Sequence, residues 1–183
     1  MSIKENVNLI CAVCCTVAAR PFTMDLTPLQ GGSSVYLERP CRLPFLCICR
    51  PEVFVHLKSH SGSRPLGRIK YPCYVCPLFG IRFDIYEHGR PERSYTADGC
   101  CLMPLSCRCL NFSLAIKNNS GQRVGTIKRS FGDLVSELCC NGEQYKVIFP
   151  DGATDDQRAL LIGLAMMFDQ MFYRKNCPYS MLI

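Results

Sequence analysis

Histidine is scarce in this chain: His56, His60 and His88 are the only three among 183 residues. They fall on or beside strand ends, where a solvated imidazole is the ordinary outcome and a Cys/His nucleophile pair would need a partner that no motif supplies. No GxSxG elbow, Walker loop, GxGxxG turn or HExxH helix occurs, so nothing in the chain signals a serine nucleophile, a phosphate cradle or a zinc protease. The chain reads as a non-enzyme. Charged residues make up 20% against 48% hydrophobic, which excludes a disordered polyelectrolyte and describes one folded domain with a real core. A long hydrophobic run is missing as well. The most apolar stretch has its uncharged part between Ala159 and Phe168, and Asp169 ends it, whereas a membrane span needs about 20 mostly apolar residues.

Clustered charge is also lacking. The net charge of +6 suits an anionic partner such as a lipid headgroup or nucleic acid, yet the basic residues are scattered along the chain. Cysteine, by contrast, is abundant. There are 15, an odd number, with adjacent pairs at Cys14/Cys15, Cys100/Cys101 and Cys139/Cys140, and no secretory signal is read; a secreted disulfide framework is disfavoured and a cytosolic chain with reduced thiols expected. The sequons at Asn111 and Asn118 then carry no sugar.

Short strand candidates fill the body of the chain. They are 21–26, 34–39, 53–58, 66–71, 81–87, 93–98, 111–117, 123–129 and 145–150, many alternating apolar with polar residues and separated by Gly, Pro, Asn or Ser. An internal repeat organises them. Cys41, Cys47 and Cys49 share the spacing CxxxxxCxC with Cys101, Cys107 and Cys109, sixty positions on. "RPFTMDL" and "IRFDIYE" precede the two clusters, "FVHLK" and "FSLAIK" follow, and then come "PLGRIK" and "RVGTIK". Two copies of one multi-strand unit, about 20–80 and 81–135, imply a pseudo-symmetric antiparallel architecture with the cysteine segments as equivalent connections.

Three chemistries fit those cysteines, and the sequence leaves them open. Six thiolates could hold zinc, although zinc sites favour tight CxxC knuckles such as Cys73/Cys76, which the two triplets are not,. Small apolar thiols in loops are the plain alternative. S-acylation is the third, at "PFLCICR" (44–50), where Cys47 and Cys49 lie between apolar residues and Arg50,.

The C-terminal stretch predicts a helix over about 155–174. Thr154 with Gln157 three residues later forms a capping box, Asp155 and Asp156 suit the positive end of the dipole, and Pro178 prevents continuation,. Apolar residues surround its circumference, so protein should enclose it, and a helix threaded through a β-barrel meets that need.

These residues resemble the phospholipid scramblase family. "RALLIGLAMMFDQMFYRK" (158–175) is similar to that family's "KAxxIGACFLxDFMFFE" through Ala159, Ile162, Gly163, Phe168, Asp169, Met171 and Phe172. Cys14, Cys15, "RPFTMDL" and "LERPCR" (37–42) resemble its "CC...RPF.L" and "LERP..C" stretches, and "GTIKRSFGDL" (125–134) its "GKISK.W.G". The resemblance implies a mainly β, tubby-like fold: a closed antiparallel barrel of about twelve strands, fewer here, around a central hydrophobic C-terminal helix. It divides the chain into a short N-terminal segment 1–10, a scramblase-like domain 11–175 with Gly163, Phe168 and Asp169 in the core helix, and a tail 176–183.

The implied activity is calcium-stimulated, ATP-independent, bidirectional movement of phospholipids between leaflets. The alternative is a non-transporting, membrane-associated module of the same fold that binds lipid, protein or DNA. The family's calcium loop aligns with 141–152, where Asn141, Glu143 and Asp151 offer oxygen and Lys146 replaces a glycine. Its acylated cysteine run aligns with 46–50, implying palmitate on Cys47 and Cys49. Membrane phospholipids and an anionic lipid surface are the implied partners, at the cytoplasmic face of the plasma membrane, or the cytoplasm and nucleus when unacylated.

Overall fold

The computed structural model describes residues 2–6, 22–27, 33–40, 52–59, 62–71, 81–99, 112–130 and 144–172. Ten strands form one antiparallel sheet in strict sequence order. They are β1 (Ser2–Asn6), β2 (Phe22–Thr27), β3 (Ser34–Arg39), β4 (Glu52–Ser59), β5 (Gly62–Lys70), β6 (Ile81–Glu87), β7 (Tyr95–Gly99), β8 (Phe112–Lys117), β9 (Arg123–Ser130) and β10 (Gln144–Ile148). One helix, α1 (Asp155–Phe172), follows.

The nine strands expected from alternation are β2 to β10. β1 is an addition. The expected short N-terminal segment 1–10 supplies a strand that pairs Ser2 with Thr27 through Asn6 with Thr23. Closure differs from expectation too: among the described residues β1 and β10 share no ladder, so by backbone hydrogen bonding the sheet has two edges. The mainly β architecture with a C-terminal helix stands.

The strands from β2 to β9 turn one row of side chains inward. Met24, Leu37, Val53, Val55, Ile69, Phe83, Ile85, Ala97, Leu114, Ile116 and Ile127 are almost wholly buried, and α1 adds Leu160, Leu161, Leu164, Ala165, Met167 and Phe168. Burying one such large side chain stabilises by roughly 1.5–3 kcal/mol before entropy is counted. The helix lies against β3, β4, β5 and β10. Its burial is not uniform around the circumference, because Ile162, Met166 and Asp169, spaced as one helical face, are only partly covered,.

The repeat is visible in the strands. The first unit supplies β2 to β5 and the second β6 to β9, and the cysteine clusters fall between β3 and β4 and between β7 and β8, outside the described residues. Both closing hairpins contain a register shift, at Val55/His56 and at Ile116/Lys117. Each unit also ends in Gly-x-Ile-Lys, at 67–70 and 125–128. A Cβ on Gly67 would land on the backbone carbonyl of Tyr86, and one on Gly125 would lie 2.6 Å from that of Ile148. Backbone therefore occupies the space of a side chain at both places, a close approach that only glycine permits.

Gly163 serves the same purpose on the helix. A Cβ there would meet Leu37 Cδ2 at 3.0 Å and Val55 Cγ2 at 3.3 Å, so even a methyl group would press on β3 and β4 and a larger side chain would clash. Gly163→Leu is accordingly expected to overpack this contact by about 1–3 kcal/mol and to lower the melting temperature by roughly 2–10 °C. A thermal melt unchanged from wild type would show that this face of α1 is not enclosed.

Candidate functional site

Among the described residues, one group of polar side chains surrounds a mouth at the N-terminus of α1. The mouth is built by the capping box. The Thr154 amide donates to Gln157 Oε1 (3.0 Å), and the Gln157 amide donates to Thr154 Oγ1 (3.3 Å), which satisfies two of the amides a helix start leaves free. The Gln157 side chain then ties the cap to the sheet: its Nε2 donates to Glu87 Oε1 on β6 (2.9 Å), and Tyr95 of β7 donates its hydroxyl to Oε1 (3.2 Å).

Arg64 of β5 forms a fork on Asp156, with Nη1 2.8 Å from Oδ2 and Nη2 2.7 Å from Oδ1. The helix is thus held at its first turn from two sides. Beside it opens a polar cavity of about 420 Å³ whose walls include Glu87, Arg90, Arg93, Tyr95, Asn118 and Gln157. Hydrogen bonds from Arg64, aided by its charge, hold the Asp156 carboxyl below its ordinary value despite some desolvation. Burial, with the Glu87 charge adding to it, pushes the Tyr95 phenol up.

Of the three helix residues expected in the core, two are buried and Asp169 is partly covered. Gly163 is buried, and Phe168 is 1% exposed with its ring edge-on to Phe83 at 6.1 Å between centroids. Asp169 accepts a 2.7 Å hydrogen bond from the Tyr145 hydroxyl of β10. That bond explains how an acid sits in so apolar a helix: a partly buried carboxylate needs a donor. Sequence reading missed Tyr145, because nothing local marks a partner 24 positions away.

The remaining expected sites divide differently. Cys47 and Cys49 lie outside the described residues, as do Asn141 and Glu143. Asp151 is exposed in the turn after β10, where the Ala153 amide donates to the Pro150 carbonyl at 3.1 Å. Among the described residues no three His, Cys, Asp or Glu side chains gather as a metal site would require,.

The middle of the segment aligned with a calcium loop is a strand. Gln144–Ile148 runs extended over about 13 Å, roughly 3.3 Å per residue,, whereas a calcium loop curls so that carboxylates converge. Lys146 stands directly opposite Lys128 of β9, which puts two ammoniums where such a loop wants anions. The described residues of 141–152 do not fit calcium.

Several comparisons bear on kinship. The family model described as Scramblase matches residues 1–175. The chain is 25% identical over 166 residues to phospholipid scramblase 2 of Bos taurus, covering 89% of this chain and 54% of that protein. It is 23% identical over 169 residues to phospholipid scramblase 1 of Mus musculus (91% and 49%), and 25% identical over 176 residues to phospholipid scramblase 2 of Homo sapiens (94% and 56%). It thus spans about half the length of these curated relatives. No solved structure matches.

The Arg64–Asp156 pair generates a pH prediction. A carboxyl whose folded pKa is lowered contributes stability that is fully present above its ordinary value of 3.8 and is lost as pH falls through the lowered folded value,. The melting difference between wild type and Asp156→Asn is therefore expected to be positive, small because both side chains are well exposed, and to shrink between about pH 5 and about pH 2,. A difference constant with pH would mean that the fork does not form in solution. The Thr154→Ala variant should cost about 1 kcal/mol at any pH in that range.

The match over residues 1–175 takes in every described strand and the whole of α1, and this chain belongs to the scramblase family.

Proposed function

We propose that this chain moves phospholipids between membrane leaflets in both directions without ATP, acting from the cytoplasmic face of the plasma membrane. The observation that supports this reading is the extent of the family match, which covers sheet and helix together rather than one short motif. The relatives' names supply the cargo class, phospholipid.

Among the described residues no helix is long and apolar enough to cross a membrane. Attachment on this reading comes from palmitate on Cys47 and Cys49, since one acyl chain binds only marginally and two hold stably. The space inside the sheet is filled by buried side chains of the strands and α1. A headgroup path would therefore run outside the sheet, where the docked protein perturbs the bilayer. Calcium stimulation, which the family resemblance implies, has no fitting ligand set in the described part of 141–152, so exchange is expected to proceed at similar rates with calcium and with chelator.

A second reading has the same fold dock at membranes without transport. The like-charged pair Lys128/Lys146 favours it, because this pair suits anion binding whether or not lipids cross,.

Leaflet exchange of a fluorescent phospholipid in reconstituted vesicles separates the two, with exchange above protein-free vesicles expected. Absence of exchange, with and without calcium, would sink the transport reading and leave the second. For attachment, Cys47→Ser/Cys49→Ser should remove hydroxylamine-labile acyl label in cells and release the protein from the membrane fraction. A doubly substituted chain that stays fully bound would remove acylation as the anchor.

A further inference from the structure

The two repeat units treat one lysine differently. Lys70 closes the Gly-x-Ile-Lys of the first unit and faces Glu52 on one side and Asp84 on the other, with Nζ 2.9 Å from Glu52 Oε1. Lys128 holds the same place in the second unit. Its cross-strand neighbours are Ser113 on β8 and Lys146 on β10. Where the first unit sets a cation between two acids, the second sets two cations side by side. Directly opposed like charges destabilise a sheet, and neither lysine has an ion pair among the described residues.

The surroundings do not relieve this. The outward row of β8 and β9 holds Ser113, Ala115 and Thr126, and Arg123 reaches along β9 to donate from Nη2 to Thr126 Oγ1 at 2.7 Å. Among the described residues, Asp98 of β7, across β8 from β9, is engaged by Lys117 at 2.8 Å. Next to Lys146 on the same outer row of β10 stands Ile148, which at 45% is the exposed large hydrophobic residue among those described. β10 is also the last strand of the sheet.

We propose that the outer face of β9 and β10, through Lys128, Lys146 and Ile148, docks onto an anionic lipid surface. The lysines supply the attraction to headgroup phosphates and carboxylates, and the exposed isoleucine inserts at the headgroup boundary. A bare polyanion such as nucleic acid would use the lysines and leave Ile148 in water, which is why the patch fits lipid better. This deepens the membrane reading above and rests on it for the identity of the surface, while assigning that surface to a face of the fold rather than to overall charge.

The test is flotation of the full chain with phosphatidylcholine vesicles containing or lacking phosphatidylserine. Lys128→Gln/Lys146→Gln should bind the anionic vesicles roughly 30-fold more weakly, from the attraction each lysine has near such a surface. Its thermal stability should be kept or raised, since the substitution relieves repulsion. Arg68→Gln/Arg82→Gln removes the same charge from the outer rows of β5 and β6 and should stay close to wild type, because charges beyond about 10 Å are screened. Ile148→Ser should weaken binding to the vesicles several-fold and leave binding to duplex DNA unchanged.

Equal losses in the two double variants would reduce the effect to net charge and overturn the proposal. So would unchanged vesicle binding of the lysine variant, or a wild-type preference for DNA over anionic vesicles. Leaflet exchange measured alongside keeps the two readings apart: lysine-dependent docking without exchange sinks transport and upholds this surface, whereas exchange with lysine-independent docking does the reverse.

Discussion

Enclosure of α1 is the constraint on which the rest of the structure depends. The buried apolar residues of α1, Ala159, Leu160, Leu161, Gly163, Leu164, Ala165, Met167 and Phe168, spread over more than half of the helix circumference, which is more than one flat sheet face covers. Most of the stability of a helix in a protein comes from packing of its apolar surface rather than from intrinsic propensity. The strands must therefore curve around it, and close approach sets the residues at the contacts. Gly163 brings helix to sheet, while Gly67 and Gly125 bring strand backbone to strand backbone. The two ends of α1 are held by polar groups chosen for the same purpose: Gln157 to Glu87 and Tyr95 at the first turn, and Asp169 to Tyr145 near the last.

The duplicated four-strand unit supplies that curvature twice, and its inward residues match: Ile69 and Ile127 are both essentially buried, each between a glycine two residues earlier and a lysine next in line. The outward residues are free to diverge because they do not touch the helix. One unit pairs its lysine with Glu52 and sets it opposite Asp84; the other presents Lys128 beside Lys146. Function on a pseudo-symmetric scaffold is best sought where the copies part company, since packing does not account for the difference there.

The same reasoning separates the interior from any lipid path. Side chains of both units and of α1 fill the inside, so the fold has one face committed to packing and one committed to its surroundings. The partly covered row Ile162, Met166 and Asp169 marks where the enclosure by described strands is thinnest.

Local signals in the sequence by themselves determined nine of the ten strands and the start of the helix. Alternating apolar residues report which side of a strand is buried, and Thr154 with Gln157 spans one helical turn, so neither needs a distant partner to be read. β1 escaped because "SIKEN" has one apolar residue, Ile3, and is a strand through its pairing with β2. Residues 141–152 align with the family's calcium loop, but pairing of Gln144–Ile148 with β9 made the middle a strand. Tertiary structure alone decided that Tyr145 reaches Asp169, that Arg64 grips Asp156 from 92 positions away, and that Lys128 faces Lys146. Each of these depends on strand register or on how the helix is seated, and register is a property of two segments together that neither carries alone.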